Sequence, residues 1–294
     1  MRARGNLMRT LHQTAIRDVT DTALWVAALR ANESRRTDAA FQDPLAARLA
    51  GERGRRIARS FPDSAGVSWG VAMRTAAIDE LITASLQMDI GAVVNFGAGL
   101  DTRPYRMTLP SELRWVELDF PDLVETKDAA LACETPNCHV ERIGLDLLNR
   151  SARKEVLESL GAGSASSLLI AEGMVPYWSN EEVKNLAVDC FAVPSFHYWI
   201  LDFDNAGRRK TPKGWAALLQ ATPLLFQVDD WFKFFEECSW RRRAVTTSGE
   251  ISARLHRPYP FTFPRGILMR ALPSEMRARI LGSSGAVLLE RGSI

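Results

Sequence analysis

From Ala92 onward, short runs of β-branched and aromatic residues alternate with longer segments of helical pattern, and this alternation restricts the chain more than any other feature. The apolar runs are AVVNF, LRWVELD, HVERIGLD, SLLIAEG and FHYWILDFD, separated by stretches such as PDLVETKDAALA and SARKEVLESLG. Strands that run parallel need a crossover to return the chain to the same end of the sheet, and a helix is the usual crossover. The pattern therefore predicts a doubly wound, mostly parallel α/β sheet. After SLLIAEG, Ser179 and Glu182 form a capping box ahead of Val183, Leu186, Ala187 and Cys190, which places a helix there.

Before residue 91 the apolar period is helical. In TDTALWVAALRANES, Leu24, Ala27, Ala28 and Ala31 recur behind an Asp21 or Thr20 cap, and in DPLAARLAG Asp43 caps a turn opened by Pro44. A further helix carries Met73, Ala77, Ile78, Leu81, Ile82 and Leu86 on one side, with Arg74 lodged among apolar neighbours. A guanidinium in that setting needs an anionic partner. Beyond Asp204 the pattern loosens into turn residues, basic residues and aromatics. Trp231, Phe234 and Phe235 fall at helical spacing behind an Asp229 cap, and WRRRAVTTS and AVLLERGS follow as strands. We expect one domain with a helical cap over residues 1–90, a core over 91–205, a lid insertion over 206–240 and closing strands over 241–294. Trp215 and Phe226 are candidates to roof a pocket.

Charge narrows the ligand. The 37 Lys and Arg nearly balance the 35 Asp and Glu, so no field of one sign is available to hold nucleic acid or an anionic membrane surface. A small molecule is the expected partner. Cys133, Cys138, Cys190 and Cys238 form no CxxC pair, and no apolar run reaches membrane-spanning length, which together suggest a reducing, cytoplasmic setting. No clustered Cys and His spacing suggests a metal.

In an open parallel sheet the ligand lies beyond the carboxyl ends of the strands where their order reverses, against the first strand-to-helix turn. AVVNFGAGLDTR supplies that turn, and Gly97 and Gly99 let the backbone approach a ligand closely. A dinucleotide fingerprint would need glycine where Thr102 stands, and Asp101 would repel a pyrophosphate at the helix start. A nucleoside without phosphates fits better. Asp119 ends LRWVELD about twenty residues past the glycines, where a carboxylate meets two ribose hydroxyls. Its lesser alternative, compatible with the first, is to cap the helix that starts at Pro121. Glu117 shares its face by the strand pleat and is the second choice, while Asp146 and Glu172 end the next two strands.

The phrases TALWVAALRANESRRTDAAFQDPLAARLAG, MRTAAIDEL, VVNFGAGLDTR, ELDFPDLVETK, GLDLLN and IAEGMVPYW occur in this order. Through them the chain, over roughly residues 20 to 205, resembles the S-adenosylmethionine-dependent O-methyltransferases that include leucine carboxyl methyltransferase and bacterial polyketide O-methyltransferases. The resemblance implies a Rossmann-like methyltransferase sheet with N-terminal helices and an inserted helical lid, and S-adenosyl-L-methionine as cofactor. It implies that Arg74 holds the methionine carboxylate, that Gly97 lines the methionine portion beside Ala98 and Gly99, and that Asp119 takes the ribose hydroxyls. Asp146 and Leu147 would meet adenine, and Glu172 the ammonium end. Asp101 and Arg103 would brace the loop. Tyr177 matches a family tyrosine that touches methionine or acceptor, although Pro176 and Trp178 depart from the family pattern on either side of it. The expected reaction is methylation of a carboxylate or hydroxyl on a small, polyketide-like metabolite. None of His12, His139, His197 and His256 has the neighbours of a catalytic base. The competing readings are an NAD-dependent oxidoreductase, a protein carboxyl methyltransferase, and a partner-binding protein with a degenerate cofactor fold.

Overall fold

The computed structural model describes residues 16–60, 64–163, 166–204, 222–260, 272–273, 276 and 282–293. Three helices come first: α1 (Val19–Ser34), α2 (Ala46–Ser60) and α3 (Ser64–Ser85). The cap of α1 is Asp18, whose side chain accepts the Asp21 N–H at 2.9 Å. Asp21 instead turns back to the Arg17 N–H and clamps Arg53, so it is a tether and not the cap that its position suggested. Asp43 accepts the Ala46 N–H as expected. Helix α2 does not end at Gly51. It kinks there, where φ is 54°, and continues to Ser60.

The rest alternates: β1 (Ala92–Phe96), α4 (Arg103–Arg106), β2 (Arg114–Asp119), α5 (Pro121–Leu131), β3 (His139–Gly144), α6 (Arg150–Ala162), β4 (Ser167–Ala171), α7 (Asn180–Phe191) and β5 (Phe196–Asp204). They are followed by α8 (Trp231–Glu236), β6 (Trp240–Thr247), α9 (Ser248–Arg254) and β7 (Ser284–Arg291). The strands form one sheet in the order β3-β2-β1-β4-β5-β7-β6. β1 to β5 pair in parallel, and β7 runs antiparallel to both β5 and β6. Every residue of β1 and β4 is buried, as central parallel strands covered on both faces require. One face packs against α6, α7 and α8 through residues such as Leu157, Leu186 and Phe235, and the other packs against α3 through Met73, Ile78 and Ile82.

The chain builds outward from β1 through β2 to β3, then returns through α6 to lay β4 on the opposite side of β1. The order therefore reverses between β1 and β4, and a crevice opens above their carboxyl ends. The capping box of Ser179 and Glu182 is present at α7. The cap of α8 is Asp230, not Asp229: its side chain accepts the N–H groups of Phe232 and Lys233. Trp231 and Phe235 are core residues. Trp215 and the first part of the expected lid, residues 206–221, lie outside the described residues. The stretch after it is tied down, since the N–H groups of Leu225 and Phe226 donate to the Pro176 carbonyl. Among the described residues no helix is long and apolar enough to cross a membrane, and no cluster of His, Cys, Asp and Glu is arranged to hold a metal ion.

Candidate functional site

A cavity of about 610 Å³ occupies the crevice above β1 and β4, roofed by α1 and α3. That volume lies in the range of small-molecule sites. Arg74, Gly97, Ala98, Gly99, Asp119, Asp146, Leu147, Glu172 and Tyr177 all line it. They come from five separate stretches of chain and meet because the strand tips and the helix α3 converge at the reversal point.

The floor is the turn after β1. Gly97 and Gly99 have φ of 59° and 49°, a region that residues with a Cβ rarely adopt. A Cβ on Gly97 would stand 3.1 Å from the Met174 sulfur, inside the space of the cavity wall. Asp119 ends β2 and grips this turn. Its Oδ2 accepts the Gly99 N–H at 2.6 Å, and its Oδ1 accepts the Phe120 N–H at 2.7 Å. It does not cap α5, whose first turn has no side-chain cap. Burial raises the pKa of Asp119, and the two N–H bonds oppose that rise.

Glu117 does not reach the cavity. Its carboxylate lies 2.7 Å from both Lys127 and Arg142 in a pocket almost closed to solvent. The pleat puts Glu117 on the same side as Asp119, but two residues lower in the strand that side faces α5 and β3 instead of the crevice.

Opposite Asp119 lies a connected set of charges. Arg74 Nε is 3.0 Å from Glu172 Oε1, and its Nη1 is 3.2 Å from Asp202 Oδ2. Arg103 reaches Asp79, Asp101 and Glu172 at 2.7, 2.8 and 2.8 Å. Asn95 donates to Asp101 as well. Asp101 and Arg103 thus brace the turn, as the resemblance implies. Burial alone would raise the pKa of Glu172, but Arg103 and Arg74 outweigh it and hold the group below its ordinary value. Asp202, with less compensation, is raised by burial, as is the phenol of Tyr177. Asp202 went unnoticed in the sequence. The strand-tip logic that selects Asp119, Asp146 and Glu172 points in FHYWILDFD to its last residue, Asp204, two positions beyond Asp202.

Six carboxylates line the cavity (Asp101, Asp119, Asp146, Glu172, Asp202 and Asp204) against four guanidinium groups (Arg30, Arg74, Arg103 and Arg106). Arg30 is held by Asp43 and by the Leu100 carbonyl, and Arg106 by Asp79. The acidic surplus disfavours a pyrophosphate and favours a ligand carrying positive charge. The donor set fits a nucleoside with a cationic centre and an amino-acid tail. No histidine among the described residues lines the cavity.

Fold and cavity together define a Rossmann-like domain with a ligand site at its switch point. Comparison with known proteins agrees. A family model described as leucine carboxyl methyltransferase matches residues 23–189. Over 273 residues the chain is 28% identical to a Parafrankia protein named as an S-adenosyl-L-methionine-dependent methyltransferase by assignment, with 86% of each chain covered. It is 33% identical over 174 residues to a similarly named Streptomyces coelicolor protein, covering 56% of this chain and 62% of that one. A crystal structure of a DUF574 family protein from Streptomyces avermitilis shares the fold, with a TM-score of 0.54 at 13% identity over 90% of this chain and 96% of that one. The chain belongs to the leucine carboxyl methyltransferase family. It is an S-adenosylmethionine-dependent methyltransferase.

Proposed function

We propose that the protein methylates a carboxylate or hydroxyl oxygen of a small, polyketide-like acceptor. The observation that carries this reading is the convergence of Arg74 and Asp119 on one cavity whose lining is acidic in excess. In the proposed complex Arg74 holds the donor's carboxylate, while Gly97, Ala98 and Gly99 admit its methionine portion. Asp119 takes the ribose hydroxyls, Asp146 and Leu147 the adenine edge and face, and Glu172 the ammonium. When bound, S-adenosylmethionine would supply a methyl carbon made electrophilic by its sulfonium; transfer to the acceptor oxygen would leave the carbon–sulfur electron pair on sulfur and, for a hydroxyl acceptor, release the hydroxyl proton to solvent.

The chain's own contribution is placement and dryness. Met174, Pro176, Leu224, Phe226 and Trp231 give the acceptor side an apolar wall. Tyr177 stays a neutral phenol, because burial pushes its pKa up, and it orients the acceptor by hydrogen bonding. An acceptor carboxylate is ionised at neutral pH and needs only to be held in line at near-attack distance.

Calorimetric titration with S-adenosylhomocysteine tests the donor site, with NAD as control. We expect one saturable site for the first and no heat from the second. Folded protein that ignores S-adenosylhomocysteine would overturn the reading. Asp119→Ala is expected to weaken that binding by about 1–3 kcal/mol through loss of charge-assisted hydrogen bonds. Mass spectrometry of carboxylic acids and phenols incubated with S-adenosylmethionine then identifies the acceptor class. Methylation of protein termini alone would replace the small-molecule assignment.

A further inference from the structure

Strand β5 ends its parallel pairing beside β4, with Leu201 in register with Ala171, so Asp202 and Glu172 occupy neighbouring positions at the sheet's upper edge. Both reach the same guanidinium. Glu172 takes Nε of Arg74 and Asp202 takes Nη1, at 3.0 and 3.2 Å, which leaves Nη2 without a hydrogen-bond partner among the described residues. The other oxygen of Asp202 accepts the Gly173 N–H at 2.8 Å. Gly173 has φ of 65°, and a Cβ there would lie 3.4 Å from Nη1 and Nη2, so bare backbone packs beside the fork.

The fold itself does not call for this arrangement. Helix α3 already buries Met73, Ala77, Ile78 and Ile82 against the sheet, and an apolar residue at position 74 would bury without the desolvation cost of an ion cluster. Two carboxylates pinching one guanidinium do achieve something else: they fix its plane and its direction. The three groups together carry one negative charge. A lone carboxylate ligand would meet that surplus, whereas a zwitterionic tail can offer its carboxylate to Nη2 and its ammonium to the acids.

We propose that Asp202 is a positioning residue that aims Arg74 at the amino-acid tail of the donor and so sets the preference for tailed over tail-less nucleosides. This rests on the donor-binding reading above. Binding of two ligands separates the two ideas: S-adenosylhomocysteine, which has the tail, and 5′-methylthioadenosine, which lacks it. Wild-type protein is expected to favour the tailed ligand. Asp202→Asn is expected to weaken S-adenosylhomocysteine about tenfold or more while changing 5′-methylthioadenosine less than about twofold, since only the tailed ligand loses a charge-assisted hydrogen bond. Unchanged affinity for 5′-methylthioadenosine also reports that the variant is folded.

Arg74→Lys keeps the charge but cannot be pinched at two nitrogens, and should produce the same split by an independent route. Adding Asp202→Asn to Arg74→Lys should cost no more than about a further twofold, because both changes remove one device. Equal weakening of both ligands would make Asp202 a structural tie to Gly173 and overturn the proposal. So would no change in either, or tighter S-adenosylhomocysteine binding. Wild-type protein that binds neither ligand would defeat the donor-binding reading itself.

Discussion

Arg103→Met should lower the free energy of unfolding at neutral pH by about 3–5 kcal/mol, as expected when one partner is removed from a buried ion cluster. The side chain is 2% exposed and touches three carboxylates, from Asp79, Asp101 and Glu172. Its loss leaves Glu172 with Arg74 and Asp79 with Arg106, and leaves Asp101 with the Asn95 amide and the backbone N–H of residue 103. The pH dependence identifies the cause. Burial works to raise the pKa of Asp101 and Glu172, but in the native protein Arg103 heads the charges that bring both below their ordinary values. A carboxylate depressed in the folded state stabilises the fold above its unfolded pKa, and that contribution fades as pH falls through the folded value. Remove Arg103 and burial dominates. Both groups are then expected to move up from their native values, so that they destabilise at neutral pH and are relieved by protonation. The deficit of the variant should therefore shrink between about pH 7.5 and about pH 5, a window that spans carboxylates raised above their usual range. Urea denaturation at the two pH values measures it. A deficit of the same size at both would mean that lost packing, not unpaired charge, accounts for the effect.

Much of the architecture was legible because it depends on local pattern. The five apolar runs from AVVNF to FHYWILDFD all became strands of the parallel part, since each is bounded by turn residues and separated by a segment long enough to cross over. Gly97 and Gly99 stood out because positive φ is a backbone demand that few other residues meet. Arg74 stood out because a guanidinium on an apolar helix face must have a partner. The identity of that partner was not legible: Glu172 and Asp202 lie about a hundred residues away, and only the strand register brings them together.

The caps were ambiguous for a different reason. Asp18 and Asp21 are both good capping residues one turn apart, as are Asp229 and Asp230 side by side, and in the first pair the choice fell to a tertiary partner. Arg53 draws Asp21 away from the helix end. Asp202 was obscured because β5 continues to Asp204 by pairing with the antiparallel β7, so its last residue is not where the parallel sheet stops.

Glu117 and Asp119 make the sharpest contrast, since they are two residues apart on one strand with the same chemistry. Glu117→Ala should destabilise the protein by about 3–5 kcal/mol, because it strands Lys127 and leaves Arg142 with fewer partners in a buried pocket. Lys127 is 2% exposed with its ammonium 2.7 Å from the lost carboxylate, whereas Arg142 keeps Asp128 and the Tyr105 hydroxyl. The unpaired ammonium is thus the main source of the loss. A double variant, Glu117→Met with Lys127→Met, should recover most of it, because removing both members of a buried pair is far cheaper than removing one. Affinity for S-adenosylhomocysteine should be unchanged in the folded double variant, while Asp119→Ala loses affinity. Chemical denaturation and calorimetry on the three variants distinguish the roles. If the double variant bound the nucleoside as weakly as Asp119→Ala does, Glu117 would have to be counted in the binding site, and the height of a residue along β2 would not be what divides structure from recognition.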